Sequence, residues 1–434
     1  MKIALVNHGC AKNLVDSELM LGLLEQKGYE VTLDDKAADI VVINTCSFIH
    51  DAEKESVQSI LQTAKNGKKV IVTGCLPQKY KGELKKALPE ITGMVGTSDI
   101  KEIVNVVEKV AEGKKNIDKI SEKPQYIYPE TIERRQITVG PSSYIKIADG
   151  CNYHCGYCII PQLRGEYHSR TIENIIEEAK SLLLKGVTEL VLIAQDTTGY
   201  GVDLYGKKSL PKLLEELNKL QGEFWIRIMY AYPSQMTDEL LDTIACLDKV
   251  VKYVDLPLQH RNKEILEAMR RPVFDYDGLI AKIRTKIPNV AIRTAFITGY
   301  PGETEEQFNE LYDFVKRSKF EKMGVFEYSR EKNTASYNMR EQIPDKIKRQ
   351  RRKKLMALQR KISKSINKTY VGKTLRCIIE AIQDDGLVML RTQHDAPEID
   401  GMVYAASESP VIPSDFANVL IENSDEYDLY GRIL

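Results

Sequence analysis

The run Cys151-Asn-Tyr-His-Cys155-Gly-Tyr-Cys158 sets three thiols on one short loop and supplies no fourth. Thiolates are the soft ligands that hold iron–sulfur clusters and zinc, and a centre with three protein ligands keeps one position open for chemistry. The spacing, CxxxCxxC, is unusual for zinc, which would need His154 or His168 to complete a tetrahedron. The residues point to a reactive 4Fe-4S cluster with one open iron, with structural zinc as the alternative.

Three more cysteines lie far apart in sequence, and each closely follows an apolar strand-like run. Cys10 comes after KIALVNH, Cys46 after DIVVINT and Cys75 after KKVIVTG. In an open parallel sheet, ligands gather beyond the carboxyl ends of the strands, so these thiols could meet at a second metal site. Taken singly, each would be an ordinary buried thiol. Cys246, inside LLDTIACL, and Cys377, inside LRCIIEA, sit among apolar neighbours and are expected in the core.

The elements that must position these groups divide the chain into three. Residues 1–115 alternate apolar strand runs with amphipathic stretches, as an α/β domain on a parallel sheet does. Residues 116–140 are polar, carry Pro124 and Pro129, and read as a linker. From 141 to 345, the runs SYIKIAD, ELVLIAQ, WIRIMYA, YVDLPLQ, VAIRTAFITG and KMGVFEYS alternate with helical stretches. Six such units make a partial (β/α)6 barrel, TIM-like, with its site at the strand carboxyl ends, where Cys151 falls. Residues 346–368 read as a basic helix packing Ile347, Leu355, Leu358, Ile362 and Ile366 on the barrel; its other face is solvated or touches nucleic acid. Residues 369–434 alternate in short runs and suggest a small antiparallel β-barrel.

Composition narrows the class. The chain has 434 residues, 43% hydrophobic and 29% charged, and no apolar run approaches the roughly 18 residues of a membrane span. MKIALVNHG is too short an apolar start for a signal peptide, so a cytosolic location and no membrane partner are expected. Eight cysteines in such a chain indicate metal or redox use over a disulfide framework. The zero net charge hides an asymmetry: from Tyr370 onward four basic residues face twelve acidic ones. An acidic end favours a basic partner and repels phosphates.

The CxxxCxxC run and its barrel context resemble the radical S-adenosylmethionine superfamily. That resemblance implies a cluster whose open iron chelates S-adenosylmethionine and reduces it to a 5′-deoxyadenosyl radical. Tyr157, just before the last cysteine, would line the adenine pocket, or else be a packed loop tyrosine.

GCAKNLVDSE, INTCSFI, VTGCLPQ and DGCNYHCGYCIIPQLRG make the whole chain similar to the methylthiotransferases, which join a three-cysteine domain to a radical barrel and a TRAM domain. The resemblance implies two 4Fe-4S clusters, on Cys10, Cys46, Cys75 and on Cys151, Cys155, Cys158. Two molecules of S-adenosylmethionine would be used, one as methyl donor and one as radical source. The electron donor would be a protein such as flavodoxin or ferredoxin. LIAQDTTGYGVDLYG, YVDLPLQH and RTAFITGYPGE look like the RimO branch, which methylthiolates an aspartate of small-subunit ribosomal protein S-twelve. The MiaB and MtaB branches, which modify a tRNA adenosine, are the alternative, and a zinc-bearing RNA-binding protein is a second. The acidic end fits docking on a basic ribosomal protein better than tRNA. Gln195, Asp196 and Gln259, at strand ends, would face the bound S-adenosylmethionine or cap nearby helices. Gly299 would let the backbone approach the adenosine or serve a turn. The glycines of GYGVDLYG lack a strand–helix context and are not read as a phosphate site.

Overall fold

The computed structural model describes residues 1–47, 50–125, 128, 133–138 and 140–434. Pro129 of the expected linker, and Phe48 and Ile49 of the INTCSFI motif, lie outside the described residues.

Strands β1 (Lys2–Asn7), β2 (Glu30–Thr32), β3 (Ile40–Thr45), β4 (Lys69–Gly74), β5 (Ile91–Val95) and β6 (Ile117–Lys119) form one all-parallel sheet in the order β2-β1-β3-β4-β5-β6. Sheets of this kind are covered on both faces, which is why β3 is an unbroken apolar run with every residue but Asn44 and Thr45 aliphatic and all of it buried. The order reverses between β1 and β3. Since β1, β3 and β4 are neighbours, the three cysteine-bearing loops emerge side by side at that switch point.

The expected linker differs in its first residues, because Ile117–Lys119 adds to the sheet as its edge strand. Farther on, the segment is clamped to the helix Ala11–Gln26. The backbone N–H of Arg135 donates to the Glu18 carbonyl at 3.1 Å, and the Arg134 guanidinium holds the Glu18 carboxylate at 2.9 Å. That helix has no single apolar face, since it is buried on nearly all sides. Val15 and Leu19 share a core with Ile40 and Ile71 of the sheet and with Val191, Trp225 and Tyr253 of the next domain, while Asn13, Asp16 and Glu18 meet polar groups.

All six expected barrel strands form: β7 (Ser142–Lys146), then β10 (Glu189–Ile193), β11 (Trp225–Ile228), β12 (Tyr253–Asp255), β13 (Ala291–Thr298) and β14 (Lys322–Glu327). Between the first two, β8 (Ala148–Asp149) and β9 (His168–Ser169) pair antiparallel and pinch off the cysteine loop. The six run parallel as two triples, β7-β10-β11 and β12-β13-β14, joined by the bridge Ile226 to Val250. The intervening helices start where the sequence provides caps: Thr171, Thr237, Asp275 and Thr304 each accept a hydrogen bond from the first turn.

The helix Asp345–Lys368 packs on β14 through Leu355 and Ile362, yet Ile347 is exposed, and Lys348 and Arg351 of the supposed outer face are buried. Arg351 donates to the Glu303 carbonyl at 2.9 Å, so part of the basic character is structural. The last domain is a closed barrel of β15 (Thr374–Ile382), β16 (Val388–Thr392), β17 (Val403–Ala406), β18 (Phe416–Ser424) and β19 (Leu429–Ile433) in the order β15-β16-β17-β19-β18. Four pairings are antiparallel, but β17 and β19 run parallel. A ring of five cannot alternate direction all the way round. Cys377 is buried in this barrel as expected; Cys246 is exposed, because the helix Asp238–Cys246 turns Leu240, Leu241 and Ile244 inward and leaves its last residue outside.

Candidate cluster sites and the barrel mouth

Cys10 precedes the helix Ala11–Gln26 in an extended conformation, Cys46 directly follows β3, and Cys75 opens the short helix Cys75–Tyr80 after β4. Their loops are tied together. The Asn13 amide donates to the Thr45 carbonyl at 2.9 Å and to Asn44 at 3.1 Å, and the Asn44 amide returns to the Asn13 carbonyl at 2.8 Å. Burial pushes the Cys75 thiol up to about 12; the Arg164 guanidinium opposes this, while Cys10 and Cys46 add to it. A buried thiol whose ionisation is opposed by burial and by two neighbouring thiols is stabilised as thiolate by a cation.

The barrel loop is held as firmly. Gly150 has φ +79°, and a Cβ there would come within 1.9 Å of the Glu166 carbonyl oxygen, so only glycine lets the two arms of the loop meet. Cys151 N–H donates to Gly165 at 3.1 Å and Gly156 N–H to Met269 at 2.8 Å. Burial raises the Cys151 thiol to about 11 and the Cys158 thiol to about 12, and each is raised further by Cys155. Among the described residues, neither trio is closed to metal-ligating geometry, and His154 and His168 do not complete one. Both histidines line, with Cys151, Gln78 and Lys79, a cleft of about 950 Å³.

Between the two trios lies a buried ionic network that the sequence did not announce. Lys146 bonds Asp16 and, at 2.9 Å, Asp149; Arg164 bonds Asp16 at 2.8 Å and Asp149 at 2.9 Å. Arg164 also reaches Asn13, so one guanidinium connects the first turn of the helix after Cys10 to the residue just before Gly150. Arg164 and Asp149 both stand inside the quoted motif DGCNYHCGYCIIPQLRG, which was the available signal.

Gln195 faces this network: its amide donates to Asp149 at 2.7 Å, and its Oε1 is buried without a partner among the described residues. Asp196 accepts from the Thr198 N–H at 2.9 Å, and burial raises its carboxyl despite that bond. Gln259 ends the β12 segment in a left-handed conformation, φ 70°, and exchanges backbone bonds with Ala295 and Ile297 at 2.8 Å. Tyr157 packs edge-on against Tyr300 at 6.5 Å in a cluster with Met269 and Tyr328. Gly299 is a turn glycine, φ +74°, and the group that leaves no space for a Cβ is the Lys348 side chain at 2.3 Å.

Sequence reasoning missed Arg271. It lies over the Tyr232 ring at 4.2 Å and donates to the Pro257 carbonyl at 2.8 Å; its Nε is buried without a partner among the described residues. Its charge is felt by Cys158 and Tyr157, and its own is reinforced by Tyr157 and Cys155. Tyr232 in turn stacks on Tyr153 of the cysteine loop, centroids 3.9 Å apart and planes 3° from parallel. A buried guanidinium without a carboxylate beside three thiols suits a group of net negative charge, which a cluster on three thiolates is.

The known proteins agree with this layout. Residues 2–96 match a family described as uncharacterized protein family UPF0004, residues 145–315 the radical SAM superfamily, and residues 371–434 the TRAM domain. The chain is 47% identical over 436 residues, covering 99% of both chains, to the ribosomal protein uS12 methylthiotransferase RimO of Caldanaerobacter subterraneus subsp. tengcongensis. It is 43% identical to the protein of the same name from Microcystis aeruginosa, covering 100% of this chain and 99% of that one. Among solved structures, the radical S-adenosylmethionine methyltransferase TsrM from Kitasatospora setae superposes with a TM-score of 0.56 at 15% identity, covering 75% of this chain and 72% of that one. The cobalamin-dependent radical enzyme OxsB gives 0.52 at 11%, covering 77% and 54%. Those two share the fold. With three matched domains in order and full-length relatives of one name, the chain belongs to the RimO family of radical S-adenosylmethionine methylthiotransferases.

Proposed function

We propose that this protein adds a methylthio group to the β-carbon of an aspartate in ribosomal protein uS12. The observation that carries the reading is end-to-end identity with uS12 methylthiotransferases, together with two cysteine trios at the strand ends of two domains joined by one buried ionic network. Cys151, Cys155 and Cys158 would hold the cluster that binds S-adenosylmethionine, and Cys10, Cys46 and Cys75 the second cluster. When bound, these groups supply the radical, the methyl group and the sulfur, chemistry no side-chain base could do on so weak a carbon acid.

The chain's own residues bind, orient and shield. Lys146 and Arg164 fix Asp149 and through it the start of the cysteine loop; Gln195 presents a free carbonyl oxygen to the same space. Arg271 places a fixed positive charge beside the loop, and the Tyr153–Tyr232 stack covers it. Tyr157, Gln195, Asp196, Gln259 and Gly299 are the residues we assign around S-adenosylmethionine, with Gly299 acting through its turn.

The last domain supports a protein substrate. Asp395 and Asp400 are turned inward, Glu380 is held by the buried Arg391, and nine other acids remain exposed or half-exposed against Lys373, Arg376 and Arg432. Such a surface attracts a basic ribosomal protein. On the helix Asp345–Lys368, Lys346, Arg349, Lys353, Arg360, Lys361 and Lys368 are exposed, and we assign them contact with ribosomal RNA near the substrate. A flavodoxin- or ferredoxin-like donor would supply electrons, and the reaction would take place in the cytoplasm with the ribosome. No helix among the described residues is long and apolar enough to cross a membrane. Offering the reconstituted protein both uS12 and unmodified tRNA, and asking which gains the methylthio group, tests the reading.

A further inference from the structure

Lys12 stands on the first turn of the helix Ala11–Gln26, two residues after Cys10, and its ammonium lies 3.3 Å from the centre of the Tyr230 ring. No carboxylate among the described residues is within ion-pair distance of it. Of the charges around it the Cys10 thiol acts most strongly, but that thiol is assigned to the cluster; the two acids that also act on it, Asp149 and Asp255, are already engaged. Asp149 is shared by Lys146, Arg164 and Gln195, and Asp255 by Arg293 at 2.8 Å and the Tyr230 N–H at 2.9 Å.

The platform beneath Lys12 is built. Tyr230 follows the carboxyl end of β11 in a left-handed conformation, φ 63°, which a bulky residue adopts only where its surroundings impose it. Its N–H is held by Asp255, and its carbonyl accepts from Thr197 N–H at 3.1 Å. The protein thus fixes an aromatic face under a lysine that has no carboxylate partner among the described residues. A cation–π contact is worth about 0.5–2 kcal/mol and does not replace a counter-ion in a desolvated site.

The position says which anion is missing. Lys12 comes from the helix that follows Cys10, yet its ammonium rests on Tyr230, just past the carboxyl end of β11, so it reaches from the N-terminal domain to the barrel mouth. In an aspartate the β-carbon carries the carboxylate directly, so a cation gripping the carboxylate fixes the reacting carbon one bond away. We propose that Lys12 binds the side-chain carboxylate of the target aspartate and makes the site select an acidic acceptor. This rests on the uS12 reading above.

The test is a double-mutant cycle on the reconstituted full-length enzyme, pairing wild type, Lys12→Gln and Lys12→Arg with uS12 and with uS12 whose modified aspartate is asparagine. Both kcat/KM and the Kd of uS12 are read. With wild type, the aspartate-to-asparagine change is expected to lower kcat/KM by about thirtyfold or more. Lys12→Gln should suffer a similar loss on native uS12 and show little further loss on the asparagine form, while Lys12→Arg recovers most of it. Equal asparagine penalties in wild type and Lys12→Gln, or native efficiency in Lys12→Gln, overturn the assignment. A wild-type enzyme that modifies tRNA and leaves uS12 untouched is a different result: it removes the functional reading, and the inference with it.

Discussion

Arg164 and Asp16 pair at 2.8 Å across the boundary between the N-terminal domain and the radical barrel, both buried. The same nitrogen holds Asp149 at 2.9 Å, so this guanidinium, together with Lys146, ties the cysteine loop of the barrel to the helix that follows Cys10.

Arg164→Met leaves Asp16 and Asp149 with Lys146 as their one remaining cation, and removing one member of a buried ionic group costs about 3–5 kcal/mol. A lower thermal midpoint is expected, with loss of product formation larger than loss of S-adenosylmethionine cleavage, since the barrel's own loop survives while its alignment to Cys10 does not. Calorimetry and product analysis check this. A fully stable variant with native product yield would show that the network does not align the domains.

The cysteine trios separate by phenotype. Replacing Cys151, Cys155 or Cys158 by alanine should abolish reductive cleavage of S-adenosylmethionine, whereas replacing Cys10, Cys46 or Cys75 should keep cleavage and stop sulfur insertion. Quantifying 5′-deoxyadenosine alongside modified uS12 distinguishes the two. Methylthiolated product from the second group would break the two-cluster assignment.

Much of this was legible in the chain and some was not. The parallel sheet, the six barrel strands and the capped helices follow local patterns of period 2 and 3.6, which a sequence carries within a few residues. The strand-end places of Cys10, Cys46 and Cys75 and the single loop of Cys151, Cys155 and Cys158 were legible because both follow local patterns, although neither trio is drawn together to metal-ligating geometry among the described residues. Arg164, Arg271 and Lys12 were not, because their roles depend on partners contributed by remote elements: Arg164 meets Asp16 from 148 positions away. Gln195 stands at a strand end, as its place after ELVLIA implies, and its amide donor is used on Asp149. The acidity of the last domain was read as surface, and part of it is internal: Asp395 pairs with Lys322, and Arg391 with Glu189 and Glu380.

Arg271 should tune the barrel cluster. A fixed positive charge stabilises the more negative, reduced state, so Arg271→Leu should move the midpoint potential of that cluster to more negative values. Redox titration followed by electron paramagnetic resonance reads it. An unchanged potential would assign Arg271 to loop packing alone.

The seat of the last domain on the barrel should weaken in acid. His394 contacts the Tyr370 hydroxyl at 3.2 Å beside the Lys322–Asp395 pair, and burial lowers its pKa to about 4. Because the folded value lies below the unfolded one of about 6.5, the folded state resists protonation and stability falls as pH drops from about 6.5 toward 4, by up to about 3 kcal/mol. Denaturation midpoints over that range should decline in the wild type and decline less in His394→Phe. Parallel curves would rule out His394 as the titrating group.

The aspartate assignment is tested most directly by mass spectrometry of uS12 peptides after anaerobic incubation of the iron- and sulfide-reconstituted protein with methyl-labelled S-adenosylmethionine and reductant. The expected result is a gain of about 46 Da, plus the label, confined to one aspartate. Unmodified uS12, with the same gain on tRNA in a parallel reaction, would contradict it.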